Sequence, residues 1–174
     1  MKLIIGLGNP GKEYAKTRHN IGWRGLDGLA GNSKWQSSKK VKAEYLKKEV
    51  NGKEVELFKP RTFMNNSGQA VAYAVKNHNL TPKDIIVIHD DKDLPLGRIK
   101  VQAGASSAGH NGVQSIIDHL KTQAFTRIRL GIASDNPRKM SDTSKFVLNK
   151  FNLLEKGKVK KVIAEVIEEI KKLV

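Results

Sequence analysis

The chain has 174 residues, 39% of them apolar, no cysteine, and 32 Lys and Arg against 17 Asp and Glu, a net charge of +15. Apolar residues run along the whole length, which suits one compact domain with its own core and excludes a disordered chain. Disulfide and thiolate chemistry are excluded, no run approaches the about 18 apolar residues of a membrane-spanning helix, and the apolar stretch after Lys2 is too short for a secretory signal, so a cytoplasmic location is expected.

The charge excess points to a polyanionic partner, nucleic acid ahead of an anionic membrane. No segment joins a basic face to a Trp, Phe and Leu face, and there is no lipid-anchor motif, so a membrane partner is set aside. A lysine-rich surface kept for solubility is the plainer account of the charge alone.

Lys2 to Leu7 reads as a buried strand. Gly6, Gly8 and Gly11 then form Gly-x-Gly-x-x-Gly, the pattern of a dinucleotide-binding turn. Three features oppose that reading. Pro10 has no N–H to offer a phosphate, Lys12 to Arg18 separate the glycines from the apolar periodicity that begins at Ile21, and Asp27 falls inside the helical pattern rather than at the end of a second strand. The first helix runs from Asn20 to about Ala30 on Ile21, Leu26 and Leu29, weakened by Gly22, Gly25 and Gly28. Gly31 to Lys40 reads as a loop. Val41 to Val50 and Val55 to Pro60 read as strands joined by Asn51-Gly52, a strong hairpin signal.

Asn66 followed by Gln69 resembles a capping box and opens a helix to about His78. Phe63, Met64 and Asn65 therefore sit between a strand end and a helix start, where open α/β proteins place ligands. Core packing for Phe63 and Met64, and backbone capping for Asn65, are the plainer readings. Thr81 to Asp84 is a loop, and Ile85 to Ile88 is a buried central strand ending at His89-Asp90-Asp91-Lys92-Asp93. Close carboxylates repel, so three of them with a histidine mark a site. Magnesium or calcium is one reading, although the run lacks the glycine and terminal glutamate of a calcium loop.

Gly97 to Val101 is a further strand, and Gly104 to Gly112 is a small-residue loop leading into a helix buried on Val113, Ile116, Ile117 and Leu120. His110 and Asn111 open that helix, where free amides and the dipole favour an anion or a carbonyl oxygen; Asn111 as a simple N-cap is the alternative. Phe125 to Ile132 is a strand on which Arg127 and Arg129 read most simply as an exposed face. Residues 136–147 read as a mobile polar loop, and from Asn152 the three-four spacing of Leu154, Val159, Val162, Val166 and Ile170 predicts a helix to the end. His78 and His119 fall in helical stretches without evident partners. No repeat or linker divides the chain, so residues 1–174 are expected to form a single domain.

Six segments together resemble the bacterial-type peptidyl-tRNA hydrolase family: Gly6-Leu7-Gly8-Asn9-Pro10-Gly11 with Tyr14, Thr17-Arg18-His19-Asn20, Thr62-Phe63-Met64-Asn65-Asn66-Ser67-Gly68, His89-Asp90-Asp91-Lys92-Asp93-Leu94-Pro95, Gly109-His110-Asn111-Gly112, and Phe125 to Ile132 with Arg129. They occur in the family's order, and their joint occurrence is specific where any one is weak. The resemblance implies one α/β domain with a twisted mixed sheet flanked by helices. It implies hydrolysis of the ester of peptidyl-tRNA during translation, by a monomer without metal or cofactor. His19 would be the general base on water and Asp90 its orienting carboxylate. Asn9 would read the blocked amino group, Asn65 and Asn111 would hold the substrate backbone, and Tyr14 and Phe63 would line the cleft. His110 and Asp93 belong to the matching motifs and are counted with the substrate-binding set. A family lysine that clamps the phosphate at the tRNA end falls on Gln102; Lys100, two residues earlier on the same strand face, is its substitute, and Arg129 matches the other clamp position.

The residue chemistry agrees with that expectation. An ester needs a water, a base and oxyanion donors rather than a covalent nucleophile. Histidine suits a base near neutral pH, a carboxylate on its other nitrogen fixes the tautomer, and asparagine steadies an amide or oxyanion without adding charge. Three alternatives remain on the residues alone: an RNA-binding module without catalysis, which would not need both His19 and Asp90; a nicotinamide-dependent oxidoreductase, from the glycine pattern; and a serine hydrolase, for which Gly-x-Ser-x-Gly is missing.

Overall fold

The computed structural model describes residues 1–174. The elements in chain order are β1 (Lys2–Gly6), α1 (Ile21–Ala30), β2 (Gln36–Ser38), β3 (Ala43–Val50), β4 (Lys53–Pro60), α2 (Ser67–Asn77), β5 (Ile85–Pro95), β6 (Ile99–Ala103), α3 (Asn111–Leu120), β7 (Thr126–Ala133), α4 (Thr143–Leu148) and α5 (Lys156–Leu173). The strands form one sheet in the order β2-β3-β4-β1-β5-β7-β6. Strands β4, β1, β5 and β7 are parallel, and β2, β3 and β6 add antiparallel edges.

β1 sits at the centre because Leu3, Ile4 and Ile5 are fully buried on both faces, as a continuous apolar run in a parallel strand must be. Leu3 and Ile5 pack with Val71, Val113 and Ile116 of α2 and α3. Ile4 faces the opposite layer, with Leu26 of α1 and Val162 and Val166 of α5. The result is the expected mixed sheet between two helical layers.

Several local expectations are corrected. Gln36–Ser38 pairs with β3 inside the segment expected to be a loop; its polar side chains hide a strand held by backbone bonds alone. β5 does not end at Ile88 but runs to Pro95, because β7 supplies a ladder for His89, Asp90 and Asp91. The Asn66 capping box does not form: a 3₁₀ turn over Met64–Asn66 precedes α2, and Ser67 Oγ donates to Met64 O at 2.9 Å. Residues 136–147 carry a 3₁₀ turn and α4, capped by Asn136 and Asp142 and anchored by buried Phe146. Arg127 is 1% exposed rather than on an open face. His78 and His119 do have partners, Glu56 and the carbonyl of Ser115.

Gly22 sets how α1 meets the sheet. A Cβ at Gly22 would lie 2.4 Å from Ile88 O and 2.7 Å from the Leu7 backbone, so the first turn of α1 rests on the backbone where β1 ends beside Ile88 of β5. That contact carries His19, just before α1, over the strand ends. Gly25 lies one turn on, where an added Cβ meets Val166 Cγ1 at 3.4 Å, an ordinary contact. Gly22→Ala is therefore expected to lower the urea midpoint by the equivalent of about 1–3 kcal/mol. Gly25→Ala is expected to be neutral or to gain up to about 1 kcal/mol of helix propensity. Equal effects of the two substitutions would remove the close-approach role of Gly22.

Candidate active site

The carboxyl ends of the four parallel strands bring the predicted residues to one side of the sheet, where open α/β folds bind ligands. β1 runs into Asn9, and β4 runs into the turn that carries Phe63 and Asn65. Because Gly6 pairs with Ile88, β5 projects past the end of β1 and carries His89 and Asp90 beyond it. β7 contributes Arg129, and the start of α3 contributes His110 and Asn111.

Asp90 is 3% exposed and its Oδ1 accepts two hydrogen bonds, from His19 Nδ1 at 2.8 Å and from His110 Nε2 at 2.9 Å. Its backbone carbonyl accepts a third, from His89 Nδ1 at 2.8 Å. The partners fix the tautomers. His110 Nδ1 accepts from the Val113 amide at 3.3 Å, so the neutral ring carries its proton on Nε2. His19 gives its Nδ1 proton to Asp90, so in the neutral ring Nε2 holds a free lone pair. His89 donates from Nδ1, and its buried Nε2 has no partner.

The electrostatics separate His19 from His89. Burial works against a charged His19, but the Asp90 charge and hydrogen bond outweigh it and raise the imidazole above its ordinary value. Burial and the adjacent His110 push His89 well below the usual range, so it stays neutral. Burial opposes the charged form of Asp90, yet His19 and His110 together hold its carboxyl far below the usual carboxylate range. The ligand atoms of His19, Asp90 and His110 are close enough together to suggest a metal. The tautomer of His110 opposes one: a cation on Nε2 would force a proton onto Nδ1, against the Val113 amide.

Asn9 is held from two directions. Its backbone N–H and C=O are both bound by the buried side chain of Asn20, each at 2.9 Å. Its side-chain Oδ1 accepts from the Met64 amide at 2.8 Å, which leaves Nδ2 as its free group, a donor. Phe63, which delivers that amide, has φ 59° and ψ 158°, a conformation that costs a bulky residue about 1–3 kcal/mol. Its ring is 54% exposed and meets Tyr14 edge-on, with centroids 6.4 Å apart.

A cavity of about 130 Å³ opens on the other side of His19, lined by His110, Asn111, Asp91, Arg129 and the Thr143–Val147 segment of α4. Asn9, Tyr14, Phe63 and Asn65 do not line it. Arg129 donates to Asp91 at 2.9 Å and to Gln102 Oε1 at 2.6 Å. Asp93 stands outside the group: its carboxylate is exposed and pairs with Lys92 at 2.9 Å. Asn111 is the first residue of α3 and not its N-cap, which is His110. Lys100 is exposed on β6 opposite Arg129.

Four contributors were given no role at the site from the sequence. His89 lies beside Asp90 in a flagged run, but its burial follows from the β7 ladder. Asn20 follows His19 directly and is fully buried; a polar residue at the mouth of an apolar helix was the one available signal. Arg18 donates to Asn149 O, Lys150 O and the Glu155 carboxylate and lies against the rings of Phe146 and Phe151, tying α4 and the start of α5 to the turn that holds His19. Arg127 donates to Ser106 O at 2.7 Å and holds the small-residue loop down.

An imidazole with its rear nitrogen locked on a buried carboxylate, on an α/β sheet, is an arrangement able to move a proton to and from water or a hydroxyl. The model of the peptidyl-tRNA hydrolase family matches residues 3–174. The chain is 46% identical to the peptidyl-tRNA hydrolase of Aquifex aeolicus over 97% of this chain and 85% of that protein. It is 42% identical to that of Brevibacillus brevis over 94% of this chain and 86% of that one. The crystal structure of peptidyl-tRNA hydrolase from Acinetobacter baumannii superposes with a TM-score of 0.91 at 34% identity, covering 100% of this chain and 88% of the other. The chain belongs to the peptidyl-tRNA hydrolase family.

Imidazole titration by NMR checks the electrostatics. His19 is expected to titrate above about 6.5 in the native chain and below that value in Asp90→Asn, where burial acts alone; His89 is expected not to titrate while the chain is folded. The sign for stability follows. The contribution of the His19–Asp90 pair is fully present below the unfolded histidine value and is lost as pH rises through the raised folded value. A His19 value unmoved by Asp90→Asn would contradict the assignment.

Proposed function

We propose that the chain hydrolyses the ester joining a peptide to the terminal ribose of tRNA, with His19 as general base and Asp90 as its orienting carboxylate. The observation that carries this reading is the 2.8 Å bond from His19 Nδ1 to Asp90, which leaves Nε2 to take a proton from water. The water oxygen attacks the ester carbonyl, the carbonyl electrons collect on the oxyanion, and Asn donors steady it. The imidazolium, stabilised by Asp90, then returns the proton to the departing ribose oxygen. No covalent enzyme intermediate is required.

Asn9 supplies the preference for blocked substrates. With Oδ1 occupied by the Met64 amide, it presents only N–H donors. Such a group suits the carbonyl of an N-acyl or peptide group and offers nothing to a free α-ammonium, which is itself a donor. Asn65 and Asn111 hold the substrate backbone from the turn after β4 and from the start of α3, and Tyr14 and Phe63 form the apolar wall on the peptide side. The phosphate at the tRNA end is taken by Arg129 with Lys100. Gln102 holds Arg129 in place from a position where a lysine could not accept its hydrogen bond. The remaining excess of positive charge draws in the acceptor arm. The cluster is complete within one chain, which supports a monomer as the working form. No helix is long and apolar enough to cross a membrane, and action on peptidyl-tRNA suits the cytoplasm.

Hydrolysis of N-acetyl-aminoacyl-tRNA tests these roles. His19→Ala is expected to lower kcat by about 10²–10⁴. Asn9→Ala is expected to lower the rate on the blocked substrate by about 10²–10³ while narrowing its advantage over the unblocked one. Lys100→Ala is expected to weaken binding and flatten its dependence on salt by about one unit of slope. Equal rates for native and His19→Ala chains would remove His19 as the base.

A further inference from the structure

A second cavity, of about 290 Å³, lies on the α2 side of β3 and β4, away from the strand ends. Glu56 is at its floor. That residue is 4% exposed, and its Oε1 accepts from His78 Nε2 at 3.2 Å. Its Oε2 has no hydrogen-bond partner in the protein and is not sealed from the cavity that Glu56 lines. This oxygen faces the cavity with no protein donor, so a donor entering the cavity can reach it in place of water, and the hydrolytic site makes no use of it.

The surroundings narrow what that donor belongs to. Tyr45 of β3 and Tyr73 of α2 wall the cavity over the buried ring of Phe58. Tyr73 is 40% exposed, so one ring stands open to a planar partner. Lys47, in register with Glu56 across the β3–β4 pair, and Lys40, whose Nζ lies 5.6 Å from the Tyr73 ring centroid, stand at the rim. Two lysines repel a simple cationic ligand that Glu56 and the tyrosines would otherwise hold. The occupant must instead combine an N–H donor, a flat face and a negative charge. The volume is just below the about 300 Å³ at which drug-sized pockets begin, which leaves room for one ring system.

We propose that this cavity is a nucleotide subsite for a single unpaired base bearing an exocyclic amino group, with its 5′ phosphate. The amino N–H of cytosine, adenine or guanine donates to Glu56 Oε2, as carboxylates accept from such groups in base recognition. The base stacks on Tyr73, and the phosphate lies against Lys40 and Lys47. Uracil has no exocyclic donor and is the poor ligand. The site does not depend on His19 or on hydrolysis, and its test reads binding alone.

Backbone NMR of the full chain, titrated with CMP, AMP, GMP, UMP and ribose 5-phosphate at low salt, decides the matter. Saturable shifts at Tyr45, Tyr73 and His78 are expected with at least one amino-bearing nucleotide, with UMP and ribose 5-phosphate about tenfold weaker. Tyr73→Ala, a change to an exposed ring, is expected to weaken that binding about tenfold. Glu56→Gln is expected to erase the advantage over UMP, and if that variant does not fold, Lys47→Ala carries the electrostatic arm with a matching loss for every phosphate-bearing probe. Tighter binding of a short single-stranded RNA than of the monomer supports the subsite and identifies RNA as the source; monomer binding at least as tight supports it with a free nucleotide as the source. No saturable shift, shifts confined to His19 and His110, or equal binding of ribose 5-phosphate overturns the proposal.

Discussion

One carboxylate oxygen, Asp90 Oδ1, accepts from His19 at 2.8 Å and from His110 at 2.9 Å, while the carbonyl of the same residue accepts from His89. A buried charge of this kind survives only when its lone pairs are filled, and removing one donor leaves it exposed to the full cost of burial. The two donors differ in kind. His110 is pinned at its far nitrogen, which accepts from the Val113 amide. His19 has a free far nitrogen, so it alone can change protonation without breaking the arrangement. Of the two rings on Oδ1, only His19 keeps its second nitrogen free of a protein partner.

The sheet makes that arrangement possible. β5 extends past the end of β1 because β7 keeps it paired, and Gly22 lets α1 rest directly on the backbone of Leu7 and Ile88. Arg18 then draws α4 and the head of α5 against the turn that precedes α1. His19 is thus held by contacts on three sides: the Asp90 carboxylate, the sheet through Gly22, and the C-terminal third through Arg18. Asn20 extends the same turn to Asn9, so that the turn holding His19 and the backbone of Asn9 are linked through one buried side chain.

Much of this was legible from the residues. Leu3-Ile4-Ile5 and Ile85 to Ile88 declare themselves as strands buried on both faces, and α5 declares itself through its three-four spacing. His19, Asp90 and Asn9 came from motifs in order; His19 and Asp90 meet at 2.8 Å, and Asn9 is tied to the turn of His19 through Asn20. Other features were hidden because their causes lie far along the chain. Arg127 looks like a surface residue until the loop carrying Ser106 folds over it. The extension of β5 through three carboxylates needs β7, about forty residues later. The signal for α4 was present in Asp142 ahead of Phe146-Val147-Leu148 and was outweighed by the polar residues around it. Asp93 shared a motif with Asp90 but lies in the stretch where the β5–β7 register breaks, and its exposed carboxylate pairs with Lys92.

The pH dependence of kcat/KM on N-acetyl-aminoacyl-tRNA, measured for the native chain, His110→Ala and His110→Gln, tests the shared-oxygen arrangement most directly. Loss of the His110 donor leaves the Asp90 charge less satisfied and more attractive to the His19 proton. The acid limb is therefore expected to move to higher pH in His110→Ala and to return toward the native position in His110→Gln, whose amide can donate to Asp90 in its place. An acid limb unmoved in His110→Ala, or displaced to lower pH, would contradict the division of Asp90 between a base and a fixed donor.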